Sequence, residues 1–152
     1  MLGKAPSSIA ESVAQASPRR LRTNPTPHEW SANGVIAHLR ACADVWGGCI
    51  ETILAEDEPT IRAVNPRTWI RNTDYLTKDF RDSLRAFTAQ RADLMAVLEP
   101  LTPTNWSRHA IITGAGSLSN GPFSTMPNGS QAIERPHIRQ IRRVVEAVAS
   151  QR

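Results

Sequence analysis

Long apolar runs are missing from this chain of 152 residues. The opening stretch MLGKAPSSIAESVAQAS holds no apolar run of seven, which argues against a secretory signal. Nothing elsewhere approaches the eighteen apolar residues of a membrane helix. A soluble, cytoplasmic protein with no membrane partner is the expectation. Cysteine is nearly absent as well. Cys42 and Cys49 fall seven positions apart in one predicted helix, about 10 Å by helical rise, too far for a disulfide. Lysine is scarcer than its charge class suggests: Lys4 and Lys78 are the only two, so the net charge of +4 comes almost wholly from arginine. A basic balance can mean nucleic acid, but no RNA-binding signature, zinc-finger spacing or dense basic run accompanies it. An arginine-rich solvated surface is the plainer reading. There is no glycine-rich phosphate loop, no long heptad array, no internal repeat and no arguable Ser/His/Asp constellation.

What is present is ordinary enough to fold. Hydrophobic residues make up 40% and charged residues 21%, close to an average globular protein, and the length suits one domain with a real core. Ser8 and Glu11 read as a capping box for a first helix, with Ile9, Val13 and Ala16 on one side. The stretch SPRRLRTNPTPHEW follows, where Pro18, Pro25 and Pro27 predict an irregular connection. A second helix should start after Ser31, a good N-cap, and run to Ala55. Its stripe passes through Val35, His38, Cys42, Val45 and Cys49. EDEPTIRAVNPRTWIRNT reads as a long connection in which Pro66 bars helix.

A third helix is expected from Asp74 to Leu98, with Leu76, Phe80, Leu84, Phe87, Arg91 and Leu98 on one stripe. The glycine- and proline-rich stretch from Glu99 to Ser130 reads as loop, with HAIIT its only strand-like run. Ser130 or a neighbour would cap a last helix ending near Ala149. Four helices without a credible strand ladder predict an all-α four-helix bundle with long irregular connections. Residues 1–17 would be its N-terminal helical segment, partly frayed, 18–149 the bundle proper and 150–152 a tail. Trp30, Trp46, Trp69 and Trp106 are expected to pack the core and anchor the connections.

Two ionisable residues stand on buried stripes. His38 lies three residues past Val35 and four before Cys42; His137 shares a face with Ile133, Ile141, Val144, Val145 and Val148. Buried imidazole without a partner is costly, and bundle cores are common places for metal sites made by facing helices. A core histidine satisfied by a hydrogen bond is the plainer alternative. A metal would need a third protein ligand. Cys42 has the i+4 spacing from His38 that lets one helix grip one ion, or else is a small buried hydrophobe. Glu134 is turned about 100° from Ile133 by helical geometry. His28 and His109 lie in predicted connections. Arg91, the charged member of the third stripe, could pair with Glu51 or Asp44, or bind an anionic substrate.

The order of three motifs resembles the DinB/YfiT-like superfamily: EWSANGVIAHLRACADVW for its second helix, YLTKDFRDSLRAFTAQRADLMAVLEPLTPTNW for its third and IERPHIRQIRR for its fourth. The likeness runs over about residues 18 to 148. It implies a bundle, often a homodimer, holding a zinc- or nickel-type divalent ion on three histidines. It also implies hydrolase activity, or transferase or isomerase chemistry on a small-molecule ligand with a low-molecular-weight thiol. On this resemblance His38 and His137 match two of the ligands, and Ile133 stands where the third histidine is usual. The site is therefore expected to be incomplete, and metal-free unless Cys42, His109, Glu134 or water completes it. Pro136 removes a backbone hydrogen bond, so the last helix should either start there or bend there.

Overall fold

A computed structural model describes the backbone of residues 4–114, 119–122 and 129–150, and the side chains of residues 5–114 and 136–150. Four long helices make the body: α1 (Lys4–Val13), α3 (Ala32–Ala55), α5 (Phe80–Leu98) and α7 (Gly129–Ala149). Short helices α2 (Pro18–Arg22), α4 (Pro66–Trp69) and α6 (Pro103–Trp106) lie in the connections. α3 is the central element, packed on both α5 and α7, while α1 packs on α7. The all-α bundle expected from the sequence is the fold observed.

The core follows from the helical periods. Ile9 and Val13 of α1, Ile36 and Leu39 of α3, Phe80 and Phe87 of α5, and Ile141 and Val144 of α7 meet in one cluster. Burial of each such side chain contributes about 1.5–3 kcal/mol, which ties α1 firmly into the bundle. That helix starts earlier than the capping pattern predicts, at Lys4, and Ser8 lies inside it, where its carbonyl accepts from the Ser12 hydroxyl at 2.7 Å. Arg20 of α2 reaches across to donate through Nε to the Val145 carbonyl at 2.7 Å.

α3 keeps its predicted limits. Ser31 caps it, its hydroxyl accepting from the Gly34 amide at 3.1 Å. α5 begins six residues after the expected Asp74, because Asp79 caps it and the Asp74 carbonyl is taken by the Thr77 amide and hydroxyl in a turn. Leu76 is consequently 52% exposed rather than on the stripe, whereas Arg91 is buried as the stripe requires.

Two prolines read as breakers, Pro18 and Pro66, open helices instead, and so does Pro103 in the stretch read as loop. Pro18, Pro66 and Pro103 each occupy the start of a short helix behind a side-chain cap from Ser17, Asn65 or Thr102. At that position the missing N–H has no intrahelical partner to lose. Pro136, by contrast, lies inside α7, which starts before it. Ser130, Ile133 and Glu134 belong to this helix, but their side chains lie outside the described residues.

The expectation of no strand ladder needs correction. β1 (Thr60–Arg62) runs parallel to β2 (His109–Thr113), with Thr60 opposite Ile111, and β2 runs antiparallel to β3 (Ser119–Pro122), with His109 opposite Pro122. The small sheet closes the C-terminal end of α3, where Ile53 and Ala110 form a second apolar cluster with Leu98, Leu101 and Trp106 against it. Cys42 and Cys49 are both free thiols. Among the described residues no helix is long and apolar enough to cross a membrane.

Candidate functional site

His38 sits two turns into α3, where the residues from Ala32 to Leu39 are all buried, and is itself 8% exposed. Its ring meets two others. Trp30 stands centroid to centroid 5.1 Å from it at 70°. His137 of α7 is also 5.1 Å away, at 78°. Both pairs are edge-to-face. The cap at Ser31 turns the chain so that Trp30 lies over the first turn of α3, and Gly34 permits the approach: a Cβ there would stand 3.3 Å from that of Trp30.

The polar atoms of the two imidazoles are held differently. His38 Nε2 lies 3.5 Å from the Cys42 Sγ, one turn along the same helix. Its Nδ1 is buried with no hydrogen-bond partner among the described residues. His137 Nδ1 is 2.9 Å from the Gln140 amide oxygen. With the Gln140 carbonyl as acceptor, Nδ1 carries a hydrogen, and Nε2 is left free of Gln140. Such a partner fixes the tautomer and orientation of an imidazole, as it does for metal-binding histidines.

Arg67, at the start of α4, completes the surroundings. Its guanidinium carbon lies 5.5 Å from the centre of the Trp30 ring. Burial lowers the His38 pKa from 6.5 to about 4, and the charges of His137 and Arg67 push in the same direction. His38 is therefore neutral at pH 7. Burial also pushes the Cys42 thiol up to about 11, so it stays protonated and is a poor nucleophile.

Of the residues singled out from sequence, the fold brings His38, His137 and Cys42 together. It places His109 elsewhere. Its Nε2 is 2.5 Å from Glu58 at the sheet end of the molecule, and the adjacent Arg108 donates through Nε to the Ile53 carbonyl at 2.7 Å. Ile53 is about 22 Å along α3 from His38 by helical rise. His28 is exposed on its connection. Asp44, expected as a partner for Arg91, accepts instead from Trp69 Nε1 at 3.2 Å, Tyr75 Oη at 2.7 Å and Gln90 Nε2 at 2.6 Å. Arg91 is 4% exposed on α5. Arg67 was not legible beforehand: it stands in a connection and no periodicity points it at the histidines.

A divalent transition metal takes nitrogen, sulfur or carboxylate ligands, three of them from protein in a catalytic site. The two imidazoles meet part of that requirement. Among the described residues, however, no group of three or more His, Cys, Asp or Glu side chains is placed to hold an ion. One helical turn before His137, residue 133 is isoleucine, which has no lone pair to give. The donors described do not add up to a metal centre.

The family model of the DinB superfamily matches residues 1–129. The chain belongs to the DinB superfamily. No curated protein matches it. Among solved structures it is similar to YfiT from Bacillus subtilis, a probable metal-dependent hydrolase with an unusual four-helix bundle topology. The TM-score is 0.81 at 19% identity, over 97% of this chain and 83% of that one. At that identity the likeness establishes the fold. The DinB match ends where α7 begins, so the helix with His137 and Ile133 lies almost wholly beyond it.

Proposed function

We propose that this DinB-superfamily protein works without a resident divalent metal, and that its paired histidines form a binding site for a small molecule. The observation that supports this reading most is the donor count. Two imidazoles stand 5.1 Å apart, and isoleucine occupies position 133, where the family resemblance leads one to expect the remaining ligand. The polar atoms fit a binding role. Gln140 orients His137 and leaves its Nε2 available, while His38 is held neutral.

The test is elemental analysis of purified, untagged protein by plasma mass spectrometry, before and after incubation with zinc or nickel and desalting. Less than about a tenth of an equivalent under every condition is expected for a two-histidine site. Near-stoichiometric metal that disappears in His38→Ala and His137→Ala overturns the reading.

A second reading is favoured by one contact, the 3.5 Å between Cys42 Sγ and His38 Nε2. In it, the Cys42 thiol would release its proton to solvent on binding a divalent ion held by His38 and His137, and that ion would supply Lewis-acid chemistry for hydrolysis or thiol transfer. Loss of bound metal in Cys42→Ser would mark that case. The homodimer implied by the family resemblance belongs to either reading and is checked by light scattering.

A further inference from the structure

We propose that residues 64–75, which carry α4, form a strap that lifts from α3 to let a small molecule reach the paired histidines, and that the Asp44 carboxylate is its latch. The proposal rests on the reading above of the histidine pair as a ligand site, and holds with or without a metal there. The sequence sets up the latch. Ala37, Ala41 and Asp44 follow one another at four and three residues and so share a face of α3. The two alanines let the chain after β1 lie close to the helix but offer it little apolar surface. Ile70 and Tyr75 pack there in a cluster separate from the main core. From residue 64 to residue 75, Ile70 is the one buried residue. Val64 and Trp69, by contrast, are large hydrophobic side chains left exposed on the same stretch, so burial does little to hold it.

A single carboxylate does more. Trp69 Nε1 and Tyr75 Oη both donate to the same atom, Asp44 Oδ2, at 3.2 and 2.7 Å. The other oxygen, Oδ1, accepts from Gln90 Nε2 of α5 at 2.6 Å, which ties the carboxylate to the bundle and not to the strap. Hydrogen bonds to a charged acceptor are the strong kind. The Arg40 guanidinium carbon stands 3.7 Å over the Tyr75 ring and adds a cation–π contact. The two ends are fixed through the main chain. At one, the Ala63 amide donates to the Thr113 carbonyl at 2.8 Å. At the other, Asn33 Nδ2 donates to the Leu76 and Lys78 carbonyls at 3.3 and 3.1 Å. Fixed ends, a thinly packed middle and one convergent latch are what a segment needs to open locally while the bundle stays folded.

Arg67 links the strap to the site. Its guanidinium carbon lies 5.5 Å from the centre of the Trp30 ring, within cation–π range, and that ring meets His38 at 5.1 Å. Trp30 is half-buried and is thus in contact with both the strap and the imidazole. When the strap lifts, Arg67 leaves the indole and the wall made by Trp30 and His38 is uncovered on that side.

The test labels the full chain with 5-fluorotryptophan, each signal being assigned by a tryptophan-to-phenylalanine substitution. Trp69 reports the latch, Trp30 the site, and Trp106, packed on the apolar cluster by the sheet, the fixed body. Fluorine relaxation dispersion should show Trp69 and Trp30 exchanging at one shared rate in the microsecond-to-millisecond range of lid motions, with Trp106 quiet. Tyr75→Phe removes a single donor and should raise the open population about fivefold; Asp44→Ala should raise it at least about tenfold. Should Asp44→Ala not fold, Tyr75→Phe decides alone. Exchange at neither indole, in the wild type or either variant, overturns the proposal. So does exchange confined to Trp69, which would mean that the strap moves without uncovering the site. Exchange at Trp106 with the same rate, or an open population that the substitutions leave unchanged, overturns it as well. The measurement needs neither ligand nor metal. Near-stoichiometric metal in the purified protein therefore overturns the metal-free reading and leaves the strap standing, whereas a rigid strap in metal-free protein overturns this proposal alone.

Discussion

α3 presents His38 from a segment in which every residue from Ala32 to Leu39 is buried, whereas α7 presents His137 one residue after a proline and four after an isoleucine. The first histidine is enclosed by its own helix, by Trp30 and by Cys42. Changing it disturbs the centre of the bundle. The second is half-buried and is steered by a single side chain, Gln140. Beyond it, α7 returns to core duty with Ile141, Val144 and Val145. One half of the site is thus embedded in packing that the fold needs, and the other rests on a half-buried residue held by one neighbour on α7.

The largest effect is expected where α7 is most like α3. Ile141 is fully buried in the main cluster. Ile141→Ala should cost about 2–5 kcal/mol through lost burial and the cavity left behind, read from urea unfolding. A loss below about 1 kcal/mol, less than such a truncation normally costs, would break the comparison, because α7 would then not be anchored beyond its proline.

Next comes the position that differs. Ile133→His should raise zinc or nickel affinity by at least about 100-fold, the upper end of what even an outer-shell partner is worth. The gain should vanish when His38→Ala is added. Unchanged metal content in Ile133→His would mean that position 133 does not share a centre with His38 and His137.

A third test sharpens the contrast through pH. In the metal-free protein the His38 pKa is lowered from 6.5 to about 4, so between those values the unfolded chain binds a proton that the folded one does not. Stability contributed by neutral His38 is complete above about pH 6.5 and is lost as pH falls toward 4. The loss is at most about 3–4 kcal/mol. Urea midpoints of the wild type and His38→Gln should therefore converge on acidification. Parallel curves would show that His38 is not held neutral by its surroundings.

Legibility in the sequence followed the range of the forces involved. The ends of α3 could be read because a serine cap and a three-four period are local. So could the burial of Arg91, which keeps the phase of its stripe. The start of α5 was missed because the Asp74 and Thr77 groups bond one another in a turn that competes with helix. Pro18 and Pro66 were misread because proline ends one helix and begins another with the same ring, and only the residue before it tells which. The sheet could not be foreseen: β1 and β2 are three and five residues long and pair across about fifty intervening positions. At the site, the histidine pair was legible from helix phase. Arg67 was not, since its place over Trp30 depends on how α4 docks against α3.

The smallest expected effect concerns how α3 is fixed at its start. Ser31 is 8% exposed; its hydroxyl accepts from the Gly34 amide, and its own amide donates to Asn24 Oδ1 at 3.1 Å. Ser31→Ala removes the first of these and leaves the second. The cost should be about 1 kcal/mol, typical of a lost N-cap. The site supplies the sharper readout, because the cap directs Trp30 against His38. If α3 is as rigid as its burial implies, the ring-nitrogen signals of His38 should stay in place while the unfolding midpoint drops. Displaced signals with a modest stability change would mean that the cap, and not the buried helix wall, holds the indole against the imidazole, and that the two halves of the site are more alike than their packing suggests.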